Sequence, residues 1–103
     1  MKNPENCISI EEIREEIDGI DYQIVKHFSE RYAFVKEIVK FKTDKVSVIA
    51  ENRQKHVIEN RRKWAVELGL DPDLFEDIFR TLIRYNIQKE LEILKKSKAT
   101  PIK

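Results

Sequence analysis

One apolar stripe runs through the first 40 residues and limits the possible folds more than any other feature of the chain. Ser9 and Glu12 form an S-x-x-E capping box at its start. Apolar residues then recur at steps of three and four, which is typical of one buried face of an α-helix. These positions are Ile10, Ile13, Ile17, Ile20, Ile24, Phe28, Val35, Ile38 and Val39. The pattern predicts a single helix from Ser9 to about Lys42.

The predicted helix is too long for one small globule. About 33 residues at 1.5 Å each span roughly 50 Å, whereas a globule of this chain length is roughly 30 Å across. The stripe therefore needs a second apolar surface, and the simplest one is another copy of the chain.

The rest of the chain predicts two further helices. Glycine occurs twice and proline three times in 103 residues, too seldom for a sheet with many turns. Residues 43–49 are rich in β-branched side chains and predict an extended loop. Residues 50–68 predict a second helix that ends at Gly69. Its expected apolar face consists of Val57, Trp64, Ala65 and Leu68.

Asp71 and Pro72 are typical of the N-cap and first residue of a third helix, whose apolar positions continue to Leu94. The predicted fold class is therefore all-α, with three helices and a long first one. Residues 9–96 form the predicted domain, between a flexible N-terminus (residues 1–8) and a flexible tail (residues 97–103).

Charge and cysteine content exclude several classes of protein. The 20 basic and 19 acidic residues give a net charge of +1, so no strong field favours nucleic acid or a membrane surface. Cys7 is the only cysteine, which excludes an intrachain disulfide. Because His27 and His56 have no ligand-like spacing, no metal site is predicted. A cytoplasmic protein is expected.

Several polar residues fall on the apolar faces. Arg31 and Lys42 share a face of the first helix, Arg53 precedes Val57 by four residues, and Asn86 and Glu90 follow the same spacing on the third helix. A cluster of cations near a core is costly unless an anion compensates it, which favours a bound dianion. The alternative is that the cations are surface side chains and that Asn86 and Glu90 satisfy a local polar contact.

Arg14 is a fourth cation, about 25 Å from Arg31 along the helix. No small metabolite spans that distance, so Arg14 can reach the same ligand only from a partner chain.

These positions coincide with a known family. The segment IREEIDGIDYQIVKHFSERYAFVKEIVKFK resembles the first helix of AroQ-type chorismate mutases, and WAVELGLDPDLFEDIFRTLI resembles their second loop and third helix. The start MKNPENC and the motif RxWAxExGLD are similar to the branch that contains the isochorismate pyruvate lyases of salicylate synthesis. The resemblance covers about residues 9–94.

The resemblance implies an intertwined homodimer with no cofactor and two sites, each taking Arg14 from the opposite chain. It assigns substrate binding to Arg14, Arg31, Lys42, Arg53, Gln54, Asn86 and Glu90. Lys42 and a protonated Glu90 would act as the catalytic donors to the ether oxygen of the substrate.

Three residues depart from the family pattern. Family mutases often carry acids that hold the ring hydroxyl where Ala50 and Gln54 stand here, and many members have glutamine at the position of Glu90. Because Gln54 keeps a polar contact for the ring, the expected function is chorismate mutase. The alternatives are isochorismate pyruvate lyase and a non-catalytic helical partner domain.

Overall fold

The computed structural model describes residues 2–99, and the regular structure in that range is entirely helical. Four α-helices follow one another: α1 (Ile10–Ile38), α2 (Lys45–Ile49), α3 (Glu51–Glu67) and α4 (Pro72–Ala99). Two 3₁₀ turns lie at Pro4–Asn6 and Val39–Phe41. The predicted all-α class and its three long helices are confirmed. None of the helices in residues 2–99 is both long and apolar enough to cross a membrane.

Helix α1 begins as predicted but ends earlier. The Glu12 N–H donates to Ser9 Oγ at 3.1 Å, and the Glu12 carboxylate accepts from the Ile8 N–H at 2.7 Å instead of from Ser9. The Ile8 N–H, and then the Lys2 ammonium 2.7 Å away, hold the pKa of Glu12 below its ordinary value. After Ile38 the chain tightens into a 3₁₀ turn, a common way for a helix to end.

The prediction of an extended loop over residues 43–49 is wrong. Asp44 and Ser47 form a reciprocal capping box, in which Asp44 Oδ1 accepts from the Ser47 N–H at 2.8 Å and the Asp44 N–H donates to Ser47 Oγ. This cap starts α2 despite its β-branched residues. Burial of Val48 anchors the short helix. Ala50 ends it with a φ of 47°, in the left-handed region.

Helices α3 and α4 form an antiparallel hairpin whose turn agrees with the prediction. Gly69 has a φ of 74°, its N–H donates to the Val66 carbonyl, and the Leu70 N–H donates to the Ala65 carbonyl at 2.7 Å. These two bonds are the Schellman motif. Helix α4 starts at Pro72, as predicted, and continues to Ala99. It thus includes residues 97–99 of the predicted tail, and residues 100–103 lie outside the described range.

Trp64 does not belong to the core, contrary to the prediction. Its residue surface is 49 % exposed, and Leu68 is also exposed. The Arg61 guanidinium lies over the Trp64 ring at 4.5 Å and over the Phe79 ring at 5.4 Å, so a cation–π stack covers these rings. Among residues 2–97, the buried apolar residues are Val39, Val48, Val57, Ile58 and Ala65.

The chain divides into two compact units, Met1–Phe34 and Val35–Lys103. No residue of α1 is buried, and its apolar stripe is exposed at Ile13, Ile17, Ile20, Ile24 and Phe28. The first unit contains four basic and eight acidic residues, whereas the second contains 16 basic and 11 acidic residues. Their net charges are therefore −4 and +5.

Candidate active site

A buried ion pair joins two of the predicted site residues. Lys42 Nζ lies 2.8 Å from Glu90 Oε1, and the two side chains are only 16 % and 8 % exposed. Lys42 follows the Val39–Phe41 turn, and Glu90 lies on α4. Because an ammonium group can only donate, Glu90 accepts a hydrogen bond here instead of donating one. Glu90 is therefore an acceptor in this contact, and it could act as the predicted donor only in its protonated form.

Gln54 lies beside this pair and has a fixed orientation. Gln54 Nε2 donates to the Ile49 carbonyl at 2.7 Å, and Lys42 Nζ lies 3.5 Å from the preceding carbonyl, that of Val48. Lys42 and Gln54 thus approach consecutive carbonyls at the end of α2. Since a carbonyl only accepts, the amide must turn its N–H group to Ile49. Gln54 Oε1 is then the atom that can accept from a further donor, such as a hydroxyl.

The backbone at this junction is strained. Ala50 follows Val48 and Ile49, the two residues whose carbonyls accept from Lys42 and Gln54. It takes the left-handed conformation, which costs a non-glycine residue roughly 1–2 kcal/mol. The hydrogen bonds of Lys42 and Gln54 lie directly before it. Two candidate site residues therefore also hold the connection between α2 and α3.

Asn86 and Glu90 are both buried on α4, as their spacing predicts. A pocket of about 240 Å³ lies between α3 and α4, and neither Asn86 nor Glu90 lines it. Its lining residues are Gln54, Arg80, Ile83, Arg84 and Ile87. Arg80 and Arg84 are absent from the predicted set, although their i, i+4 spacing places them beside Ile83 and Ile87 on one side of α4.

Arg53 does not lie on the inner face of α3, contrary to the prediction. It is exposed and lines a separate depression of about 420 Å³ formed by the end of α2 and the first turn of α3. Within the described range, no hydrogen bond or ion pair joins Arg53 to Lys42 or Glu90. The buried face of α3 includes Ile58, which lies four residues after Gln54 and therefore on the same side of the helix. Gln54, and not Arg53, thus faces α4.

The other two predicted cations belong to the first unit. Arg14 is exposed on α1 and has no hydrogen bond or ion pair with any residue of the described range, whereas Arg31 is half-buried. The structure thus places Lys42, Gln54, Asn86 and Glu90 in the second unit. Whether Arg14 and Arg31 bind the same ligand stays a prediction.

Comparison with known proteins identifies the family. The model of the chorismate mutase type II family matches residues 13–91. The isochorismate pyruvate lyase of Pseudomonas aeruginosa is 35 % identical over 92 residues, covering 89 % of this chain and 91 % of that protein. The chorismate mutase of Methanocaldococcus jannaschii is 32 % identical over 82 residues, covering 77 % of this chain and 83 % of that protein.

A third relative is longer. The T-protein of Haemophilus influenzae is 28 % identical over 83 residues, which are 22 % of its length. Together these matches define the class of protein as an enzyme and argue against the non-catalytic helical partner domain. The chain belongs to the chorismate mutase type II family.

Proposed function

We propose that this chain converts chorismate to prephenate. The observation that carries the proposal is the buried Lys42–Glu90 pair with Gln54 beside it. The reaction is a pericyclic rearrangement without a covalent intermediate, so the protein must hold a folded dianion and stabilise the charge that grows on its ether oxygen. The pair supplies a cation and an acid at one buried position, and Gln54 Oε1 supplies an acceptor for a ring hydroxyl.

Each residue then has a defined role. The resemblance assigns the carboxylates to Arg53, which is exposed beside Gln54 on α3 and would reach the dianion from the solvent side, and to the Arg14 of the opposite chain. Arg31 bridges a carboxylate and the ether oxygen together with Lys42. When the dianion occupies Lys42, Glu90 loses its ion-pair partner and takes up a proton. Protonated Glu90 can then donate to the ether oxygen. Asn86, buried one turn before Glu90, contacts the substrate as a neutral polar group.

The active form in this proposal is a homodimer. Two observations support it: the apolar stripe of α1 is exposed in a single chain, and the two units carry net charges of opposite sign. A first unit that packs on the second unit of another chain would cover the stripe and pair these charges. It would also bring Arg14 to the site of the partner. A cytoplasmic location is part of the proposal.

Isochorismate pyruvate lyase is the second candidate function. It is favoured by the relative of that name, which matches nearly the whole chain at 35 % identity. Ala50 also provides no acid for a ring hydroxyl. The two functions differ in their use of Gln54. Its polar contact with the ring of the substrate serves mainly the mutase.

Parallel assays with chorismate and isochorismate test the proposal. Prephenate and salicylate are measured separately for the wild type, for Gln54→Val and for Lys55→Gln, an exposed control on the same helix. The mutase proposal expects prephenate as the main product and a greater loss of mutase than of lyase turnover in Gln54→Val. Salicylate formation alone would establish the lyase, and equal losses of both would show that Gln54 does not bind the ring hydroxyl.

Mixed dimers test the shared site. Arg14→Ala and Arg53→Ala chains are each expected to be nearly inactive, and both substitutions lie at exposed positions. After subunit exchange, half of the dimers are mixed and each has one intact site. Roughly a quarter of the wild-type activity should therefore return. Exchange without recovery would refute the contribution of Arg14 across the interface.

A further inference from the structure

The pocket between α3 and α4 contains a cation to which the proposed mechanism gives no role. Arg80 and Arg84 both line this pocket, but they differ in their contacts. Arg80 Nε donates to Glu76 Oε2 at 2.8 Å, so a carboxylate already compensates its charge. Arg84 has no hydrogen bond or ion pair with any residue of the described range. Its charge is therefore available to an anion from outside.

The surroundings of Arg84 suit a ligand that is part apolar and part anionic. Ile83 and Ile87 provide the apolar wall of the pocket, and Gln54 closes the side toward α3. Arginine presents a planar fork of donors that matches a carboxylate. A cyclic carboxylic acid could thus place its ring on the isoleucines and its carboxylate on Arg84.

The pocket is linked to the ion pair through Gln54, although neither Lys42 nor Glu90 lines it. Gln54, which lines the pocket, binds the Ile49 carbonyl next to the one that Lys42 approaches. Glu90 follows Ile87 by three residues, which is about one turn of α4. At about 240 Å³ the pocket is smaller than the roughly 300–1,000 Å³ of a complete small-molecule site, so it fits one part of a ligand.

We propose that Arg84 is a further substrate-binding residue, whose guanidinium pairs with a carboxylate of the dianion while the ring lies against Ile83 and Ile87. This inference rests on the proposed function. It applies to chorismate and isochorismate alike, because both carry two carboxylates. Arg84 is a binding residue and takes no part in bond breaking, so it affects the ground state and the transition state equally.

Steady-state kinetics with chorismate and isochorismate test this role. Arg84→Gln should raise KM about tenfold with kcat nearly unchanged, as expected for the loss of one charge-assisted hydrogen bond that both states share. Arg84→Lys should recover part of the affinity, since it keeps the charge but loses the fork. Lys55→Gln removes the same charge from an exposed position of α3 outside the pocket and should leave KM unchanged.

Thermal unfolding and sedimentation of each variant separate the possible outcomes. An unchanged KM in a folded Arg84→Gln protein overturns the inference and leaves the proposed function intact. A KM increase equal to that of Lys55→Gln overturns it as well, because the effect would then be one of net charge. A weaker dimer with a normal KM at high protein concentration would assign Arg84 to the interface instead. A wild type that turns over neither substrate refutes the proposed function itself.

Discussion

The two units of the chain treat charge and apolar surface in opposite ways. Val35–Lys103 buries Glu90 and pairs it with Lys42, which is mostly covered by residues of the same unit. Met1–Phe34 has no buried residue in its described part, and its isoleucines lie in solvent. The second unit pairs its buried carboxylate with a cation of its own, whereas the first presents an apolar face that its own residues leave open. A single chain therefore pairs Lys42 with Glu90 in its second unit and leaves the apolar stripe of α1 open in its first.

Substituting Lys42 should have the largest effect. Lys42→Ala is expected to lower kcat/KM by about 10²–10³-fold, because a donor to the developing charge is lost. It should also destabilise the chain by about 3–5 kcal/mol, since Glu90 stays buried without its counter-ion. The double variant Lys42→Met/Glu90→Leu should recover the stability but not the activity. Wild-type stability in Lys42→Ala would show that the pair is not essential to the second unit.

A charge on the α1 stripe should separate the subunits. Ile17→Glu is expected to shift sedimentation from dimer to monomer, because a carboxylate would be buried without a partner in the interface. Tyr22→Glu is the matched control, since Tyr22 is exposed and lies about 140° around α1 from Ile17. Equal sedimentation of both variants would contradict the use of the stripe as an interface.

The pH dependence of catalysis should change with Glu90. In the wild type, kcat should fall about tenfold per pH unit once Glu90 has lost its proton in the enzyme–substrate complex, because kcat reports the groups of that complex. Glu90→Gln keeps a donor that cannot ionise and should remain active at alkaline pH. The two profiles are compared from pH 5 to 9. An identical alkaline limb in both would exclude Glu90 as the donor.

The smallest expected effect concerns stability in acid. Arg80 and Arg62 donate to the carboxylate of Glu76 and hold its pKa below the ordinary value. A lowered folded-state pKa stabilises the chain above the unfolded pKa, and this contribution disappears as pH falls through the folded value. The Tm of Glu76→Gln should therefore lie below that of the wild type at pH 7 and converge with it in acid, once the pH is below the lowered pKa of Glu76. A constant difference in Tm would show that ionisation of Glu76 is not involved.

Local chemistry accounts for the parts of the fold that the sequence predicts correctly. Ser9, Gly69, Asp71 and Pro72 act through neighbours only a few residues away, so their roles hold whatever the rest of the chain does. The loop over residues 43–49 was predicted from β-branched side chains, and the Asp44–Ser47 capping box outweighs that preference. The box is visible in the sequence as D-x-x-S.

The error at Arg53 comes from the phase of helix α3. Arg53 and Gln54 lie four and three residues before Val57, so both fall near its side of a helix with about 100° between successive residues. Val57 alone therefore does not decide which of the two faces the core. Burial of Ile58 and Ala65 moves the centre of the buried face to the side of Gln54 and of Arg61. This is the reason why Arg61 stacks on Trp64 while Arg53 faces solvent. Which of two neighbouring residues of α3 faces inward depends on how the helix packs against α4. The spacing of apolar residues in the sequence carries no information on that packing.

The exposed stripe of α1 also has a consequence for the order of events in folding. The α3–α4 hairpin can form within one chain, so its rate should not depend on protein concentration. In the proposed homodimer, covering the stripe requires a collision between two chains, and its rate should rise in proportion to concentration. Refolding is therefore expected to have a first-order phase followed by a second-order one. In dilute solution the chain would spend longest with its isoleucines in water, which is the period when aggregation competes with assembly.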